Sequence, residues 1–148
     1  HKEPPPAGGK GRRFQMTSGH NRWSIHSMNM TNNVILNTHR GEPFAFLNDR
    51  EAAELGIANG DKVRVTSNAG SMLIQAKLTP SCRPGQVIVY NGFEPYMHEG
   101  WNSQSDVEPG HIKPLGLVGN YGQLKYRIFS WQPIPADRAV RVDVEKVS

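Results

Sequence analysis

The run Lys62-Val63-Arg64-Val65-Thr66-Ser67 constrains this chain more than any other stretch. Its alternation puts Val63 and Val65 on one side and Lys62 and Arg64 on the other, the pattern of a strand with one dry face and one wet face. Tight turns bound it on both sides. Gly60-Asp61 leads in, and Asn68-Ala69-Gly70 closes a hairpin into a second strand expected over residues 71–79. Arg83-Pro84-Gly85 then turns the chain into a third, over residues 86–90. Three strands joined this closely point to a small barrel or sandwich rather than a helical domain.

The flanking sequence extends the pattern. Pro43-Phe44-Ala45-Phe46-Leu47 reads as a short strand, and Asn48 opens a brief helix in which Glu51 is placed for a reciprocal cap and Gly56 for a stop. Residues 124–131 and 138–144 read as two more strands, the latter alternating Val140, Val142 and Val144 against Arg141, Asp143 and Glu145. Between Met28 and His39 only Val34-Ile35-Leu36 is apolar, which fits one helical turn or an irregular crossing. Residues 91–122 are aromatic, punctuated by Gly and Pro, and aperiodic. That length is unusual for an idle loop in a compact domain, so the segment is expected to form a ligand wall.

With 148 residues and 36% apolar content, the chain can bury one core and forms one domain. The formal charge of +4 is misleading as a sign of nucleic-acid binding. Lys2, Lys10, Arg12 and Arg13 against Glu3 place +3 of it in the first sixteen residues, and the remainder is nearly neutral. Those residues, with three consecutive prolines and Gly8-Gly9, are expected to be an extended linker or tail (1–16) ahead of a domain spanning 17–148. No apolar run approaches the length of a membrane span, and nothing points to membrane insertion. The His start without a signal-peptide core reads as a mature fragment, a processed chain or a domain cut from something longer. Cys82 stands alone, which leaves no disulfide, no CxxC and no cysteine framework for zinc or an iron–sulfur cluster.

The densest chemistry lies in Ser18-Gly19-His20-Asn21-Arg22-Trp23-Ser24-Ile25-His26-Ser27. Two histidines bracket a tryptophan, with Gly, Ser and Asn giving close backbone approach and short polar reach, a set suited to a flat, polar, phosphate-bearing ligand. A plainer account stands beside it. Trp23 and Ile25 would be core, His20 and His26 would bond backbone carbonyls, and Ser27 would cap the next segment. A zinc site lacks HExxH or any His/Cys pairing, and a serine hydrolase lacks GxSxG.

The order His20-Asn-Arg-Trp-Ser-Ile-His26-Ser27, Arg40-Gly41-Glu42-Pro43, Leu47-Asn48-Asp49-Arg50-Glu51-Ala52 through Ile57, and Asn59-Gly60-Asp61-Lys62-Val63-Arg64-Val65 resembles the C-terminal dinucleotide-binding domain of the dimethyl-sulfoxide-reductase family of molybdenum enzymes. Arg83-Pro84-Gly85 and Gly119-Asn120-Tyr121-Gly122-Gln123-Leu124 continue the match. The portion Asn-x-x-x-Ala-x-x-x-Gly-Ile-x-x-Gly-Asp-x-Val-x-Val carries most of its specificity. The resemblance implies a mainly β fold, the aspartate-decarboxylase-like double-psi β-barrel, with short helices and long ligand-binding loops. The Trp-Ser-Ile-His-Ser and Gly-Asn-Tyr-Gly-Gln-Leu forms are most similar to the branch holding nitrate, selenate and chlorate reductases, dimethyl-sulfide dehydrogenase and, nearest, ethylbenzene-type dehydrogenases.

The resemblance implies a bis(molybdopterin guanine dinucleotide) cofactor carrying molybdenum, with no catalytic or metal-ligating residue in this chain. His20 and His26 would bond the pterin ends, joined by Asn120, Tyr121 and Gln123 from the second loop. Nitrate reductase has a histidine where this chain has Gln123, and glutamine retains a donor there. Backbone and hydroxyl groups around Asn21, Trp23, Ser24, Ile25 and Ser27 would meet pyrophosphate, with Trp23 alternatively a packing anchor. Asp49 would accept from the guanine edge. Asn48 has two competing roles, guanine contact and helix cap. Iron–sulfur clusters and haem b would sit on other domains, on an iron–sulfur beta subunit and on a haem gamma subunit. The parent enzyme would be periplasmic, or cytoplasmic if nitrate-reductase-like. A non-catalytic double-psi adaptor module is the reading from another class.

Overall fold

The computed structural model describes residues 13–20, 32–108 and 140–147. Its strands are β1 (Phe14–Gly19), β2 (Phe44–Leu47), β3 (Lys62–Thr66), β4 (Ser71–Leu78), β5 (Gln86–Tyr90) and β6 (Val140–Lys146). They close into a barrel in the order β1-β5-β2-β4-β3-β6. Two pairs are parallel, β1 with β5 and β2 with β4; the other pairings are antiparallel. Closure leaves these strands without a free edge. The fold is therefore mainly β, a closed barrel with a few short helices, as the sequence pattern and the resemblance imply.

Alternation decides what fills the barrel. Val63, Val65, Val87, Val140 and Val142 are fully buried, while Lys62, Arg64 and Glu145 face solvent. Branched, mid-sized side chains dominate the lumen, and Ala45 lies opposite Ala76 where β2 meets β4. The hairpin between β3 and β4 is held by Ser67, whose backbone N–H donates to Gly70 O at 2.8 Å and whose Oγ accepts from Ala69 N at 2.9 Å.

The barrel includes part of what the sequence assigned to the tail. Phe14 and Met16 are 1% and 0% exposed, and Phe14 pairs with Val142 while Gln15 pairs with both Gln86 and Arg141. A boundary between residues 16 and 17 would fall inside β1. The reason is that only three inward positions of a strand this short need be apolar, and the Pro/Gly-rich segment just before it masks the alternation. Ser18 and Gly19 likewise end this strand rather than belonging to the loop after it.

The helix α2 (Asp49–Glu54) begins and ends where expected. Asn48 caps it: Oδ1 accepts from Arg50 N at 3.0 Å and more loosely from Glu51 N, while Nδ2 donates to Cys82 O at 2.8 Å. At the other end Gly56 adopts φ +67°, and the amides of Gly56 and Ile57 bond the carbonyls of Ala53 and Ala52, a Schellman stop. Glu51 does not cap back. Its carboxylate instead accepts from Gly85 N at 2.6 Å and lies 3.6 Å from Arg13, whose guanidinium also meets Glu54 at 2.8 Å. A tertiary partner has displaced the local one, and the helix, the turn before β5 and the start of β1 are fastened at one end of the barrel.

Cys82 is buried there as a free thiol against the carbonyls of Phe46 and Gln86. Burial, then the nearby Glu51, pushes its pKa up, which suits a packing role and not a nucleophile. The apolar cluster at 34–36 enters one helical turn, α1 (Asn33–Ile35), capped by Asn32 and continued by a wider π turn (Leu36–Arg40). Residues 95–97 and 99–101 form 3-10 turns, and α3 (Gln104–Val107) comes after them. The strand expected over 124–131 lies outside the described residues. Among those residues no helix is long and apolar enough to cross a membrane.

Three substitutions test this frame. Phe14→Ala should cost about 3–5 kcal/mol in denaturant unfolding; an unchanged midpoint would return β1 to the tail. Asn48→Ala removes a cap and strands the Cys82 carbonyl, a loss of about 2 kcal/mol, and Asn48→Asp should recover only the cap. Asp61 accepts from Lys146 and from Ala58 N, both at 2.7 Å, and these bonds hold its carboxyl below the usual aspartate range. A depressed carboxylate stabilises above its unfolded pKa and loses that contribution as pH falls through the folded one. The stability gap between the parent and Asp61→Asn should therefore be full at neutral pH and close in acid; a gap that persists in acid contradicts the ion pair.

Candidate functional site

β1 and β5 run in parallel and finish together, Gly19 opposite Tyr90. The side chain of Tyr90 lies over Gly19 so closely that a Cβ there would come within 2.8 Å of the ring. Any side chain there would oblige the Tyr90 ring to move aside. One residue on, Asn91 N donates to Gly19 O at 2.8 Å, so the loop that starts at His20 and the segment that starts at Asn91 leave the barrel side by side. His20 is exposed at this exit.

A second set of contacts locks α3 across the same opening. Ser18 Oγ donates to Glu108 Oε1 at 3.1 Å, and the Gln104 amide donates both to that oxygen at 2.5 Å and to Ser18 Oγ. Ser67 Oγ donates to Val107 O at 2.6 Å beneath them. The helix is set by Ser103 and Asp106, a reciprocal capping box in which Asp106 Oδ2 accepts from Ser103 N at 2.7 Å. The result is a small polar cleft of about 190 Å³ lined by Asn91, Gly92, Ser103, Gln104, Ser105 and Glu108.

A larger cleft of about 740 Å³ lies on the flank, between the end of the first long loop (Leu36, Asn37, Gly41–Pro43), the β3–β4 wall (Lys62, Leu73–Gln75) and the 3-10 turns. Phe93 and His98 line both clefts. His98 is 6% exposed, stands edge-on to Phe93 at 6.4 Å, and has a buried Nδ1 with no hydrogen-bond partner. Burial lowers its pKa against the opposing pull of the Leu73 carbonyl and of Asp106, so the neutral imidazole is favoured.

Of the residues expected to bind cofactor, the structure describes His20, Asn48 and Asp49; Asn21, Trp23, Ser24, Ile25, His26, Ser27, Asn120, Tyr121 and Gln123 lie outside the described residues. The expectation for Asn48 is corrected. Its side-chain groups are engaged by the helix and Cys82, and at 5% exposure it has no face for a ligand, so the cap excludes the guanine contact. Asp49 is exposed, with Oδ1 accepting from Arg50 N at 2.9 Å. It lies at the end of the barrel where β5 begins, opposite the end where His20 and Asn91 emerge, because β2 runs antiparallel to β5. Of the segment expected to form the second wall, residues 91–108 are described, and Asn91, His98, Ser103, Gln104 and Glu108 line the small cleft, none of which the sequence singled out. Ser103-Gln-Ser-Asp106 was readable as a capping box; the pairing of Glu108 with Ser18, ninety positions apart, was not.

Residues 14–116 match the family described as the molydopterin dinucleotide binding domain. The chain is 34% identical over 128 residues to the dimethylsulfide dehydrogenase subunit alpha of Rhodovulum sulfidophilum, covering 86% of this chain and 14% of that protein. It is 32% identical over 133 residues to the chlorate reductase subunit alpha of Ideonella dechloratans (90% and 15%), and 31% identical over 150 residues to the respiratory nitrate reductase subunit alpha of Haloferax mediterranei (99% and 15%). The chain thus spans only 14–15% of the length of these relatives. In fold it is similar to part of the acetylene hydratase from Pelobacter acetylenicus, with a TM-score of 0.50 and 17% identity over 55% of this chain and 11% of that one. With the family's span covering β1 to β5 and the wall of the cleft alike, this chain belongs to the molybdopterin dinucleotide-binding domain family.

Proposed function

We propose that this domain closes over a bis(molybdopterin guanine dinucleotide) cofactor as the C-terminal part of a molybdenum oxidoreductase catalytic subunit. The observation that carries the reading is the parallel β1–β5 pairing, which brings His20 and the Asn91–Glu108 wall to one end of the barrel. The groups at that end fit such a ligand. Asn91, Ser103 and Gln104 offer amide and hydroxyl donors, and His98 offers a buried Nδ1 with no protein partner. Among the described residues no group of three or more His, Cys, Asp or Glu side chains could hold a metal ion, and the metal of this cofactor would be carried by its dithiolene sulfurs.

When bound, the group supplies two-electron chemistry at molybdenum. The chain's own task is to bind and orient. His20 donates to the pterin and so tunes the ligand it touches. The Ser18–Glu108–Gln104 network fixes α3 across the opening and helps exclude water from the buried face. Asp49 remains a candidate for guanine only if the dinucleotide runs the length of the barrel.

The parent enzyme we read as an ethylbenzene-type hydrocarbon dehydrogenase, adding water-derived oxygen at a C–H bond. The similarity to a dimethylsulfide dehydrogenase and a chlorate reductase favours a second reading, sulfur-compound oxidation or oxyanion reduction, on the same cofactor. Partner subunits with iron–sulfur clusters and haem b, and a periplasmic location, complete the proposal.

The experiment is cofactor content. In the full-length polypeptide, His20→Ala should lower molybdenum and releasable guanine nucleotide per chain several-fold, measured by elemental analysis and by nucleotide release in acid. Asp49→Ala tests the guanine contact separately, and normal guanine content there removes it. A full-length parent that contains neither molybdenum nor guanine nucleotide after expression in a host making the cofactor would overturn the reading in favour of the adaptor module.

A further inference from the structure

The large apolar side chains that stand exposed among the described residues are not scattered. They are Val34, Tyr96 and Trp101, at 67%, 53% and 70% exposure. Tyr96 lines the flank cleft, Val34 lies two positions before Leu36, and Trp101 lies two positions after Glu99; Leu36 and Glu99 both line it as well. One exposed apolar residue needs no explanation, but three around a single concave surface mark a contact site. Trp101 is also the one non-glycine residue among those described with positive φ, +61°, directly after Gly100 at +73°. That conformation is strained for a bulky side chain, and the residue that adopts it is the most exposed of the three.

The polar groups between these side chains are matched within the protein. Lys62 meets Glu99, and Glu42 accepts from Gln75 Nε2 at 3.0 Å. An apolar rim around mutually paired polar groups is the composition of a protein contact rather than of an ion site. Trp and Tyr are the side chains that most often anchor such contacts. The wall formed by β3 and β6 is different in kind. There Arg64 stands opposite Glu145, both exposed, and none of the exposed large apolar residues lies on either strand.

We propose that this flank is the face by which the domain docks on the remainder of its own polypeptide, on the N-terminal side, with Trp101 and Tyr96 as aromatic anchors and the β3–β6 wall left to solvent. This rests on reading the chain as the C-terminal part of a catalytic subunit. The chain spans 14–15% of the relatives it matches, so most of such a subunit lies outside it and is joined to it covalently. A tether of that kind presents the docking partner at an effective concentration of about millimolar. A patch of three apolar side chains and a cleft is enough for a tethered partner, whereas a separate subunit or a second copy would need a broader apolar face.

The test uses the full-length polypeptide in its native assembly. Photo-reactive p-benzoylphenylalanine in place of Trp101, and separately in place of Tyr96, should cross-link to peptides on the N-terminal side of this domain in the same polypeptide, identified by mass spectrometry with light and heavy chains mixed to separate a second copy. The same group in place of Glu145 should give no such product. Cross-links from 101 and 96 only to another subunit, to a second copy or to residues 21–31 and 109–139 overturn the proposal, as does a lack of cross-links at both positions. Thiol labelling gives an independent reading. Cysteine in Tyr96→Cys should react at least about ten-fold more slowly than in Glu145→Cys while the protein is folded, and at the same rate once it is denatured; equal rates in the folded protein contradict the docking face. Molybdenum content is measured on the same preparations. If it still depends on His20 while the cross-links go elsewhere, the docking face is refuted and the cofactor reading stands; a parent with neither molybdenum nor guanine nucleotide refutes the cofactor reading and leaves the cross-links to decide the docking face.

Discussion

The parallel pairing of β1 with β5 is the contact on which the rest of the molecule depends. β5 stands between β1 and β2, so the same strand both closes the barrel and aligns the exits of two long connections. Parallel strands cannot be joined by a tight turn, so these two are not neighbours in sequence. The connections that leave from their paired ends, β1 to β2 and β5 to β6, carry the polar chemistry, while the barrel supplies a frame whose lumen is mostly valine and alanine. The close passage of Tyr90 over Gly19 sets the last rung of that pairing.

The two ends of the barrel differ in how their polar groups are satisfied. At the end where β5 begins, Asn48, Glu51 and Arg13 bond to helix amides, to Gly85 and to one another, and the polar side chains are used up in holding the fold. At the end where β5 finishes, Ser18, Gln104 and Glu108 also bond mutually, yet Gln104 and Glu108 line an open cleft, and His98 keeps a buried nitrogen without a partner. A polar group fully paired inside the protein is structure; one buried and unpaired is a place for something else to bind. That contrast separates Asn48 from His98 although both are almost wholly buried.

Much of the barrel was legible because alternation reports burial directly. Val63 and Val65, Val87 and Val89, and Val140 and Val142 occupy the inner face as their spacing requires. The cap at Asn48 and the stop at Gly56 were equally local, since each depends on residues within one helical turn. β1 was less legible because a basic, Pro/Gly-rich stretch runs into it. Glu51 departs from its local pattern for a different reason: its carboxylate is taken by the amide of Gly85, thirty-four positions away.

The sequence by itself determined the strand pattern, the turns, the helix ends and, through its motifs, the family, since these rest on periodicity and short-range hydrogen bonding that neighbouring residues settle among themselves. Only the tertiary structure decided that Phe14 is core, that the Asn48 side chain is taken up by the helix and Cys82, that Asp49 and His20 lie at opposite ends, and that His98 lines two clefts with an unpartnered Nδ1. Each of these depends on which distant segments meet when the barrel closes. Pairing across tens of residues is set by the global register, and no local pattern carries it.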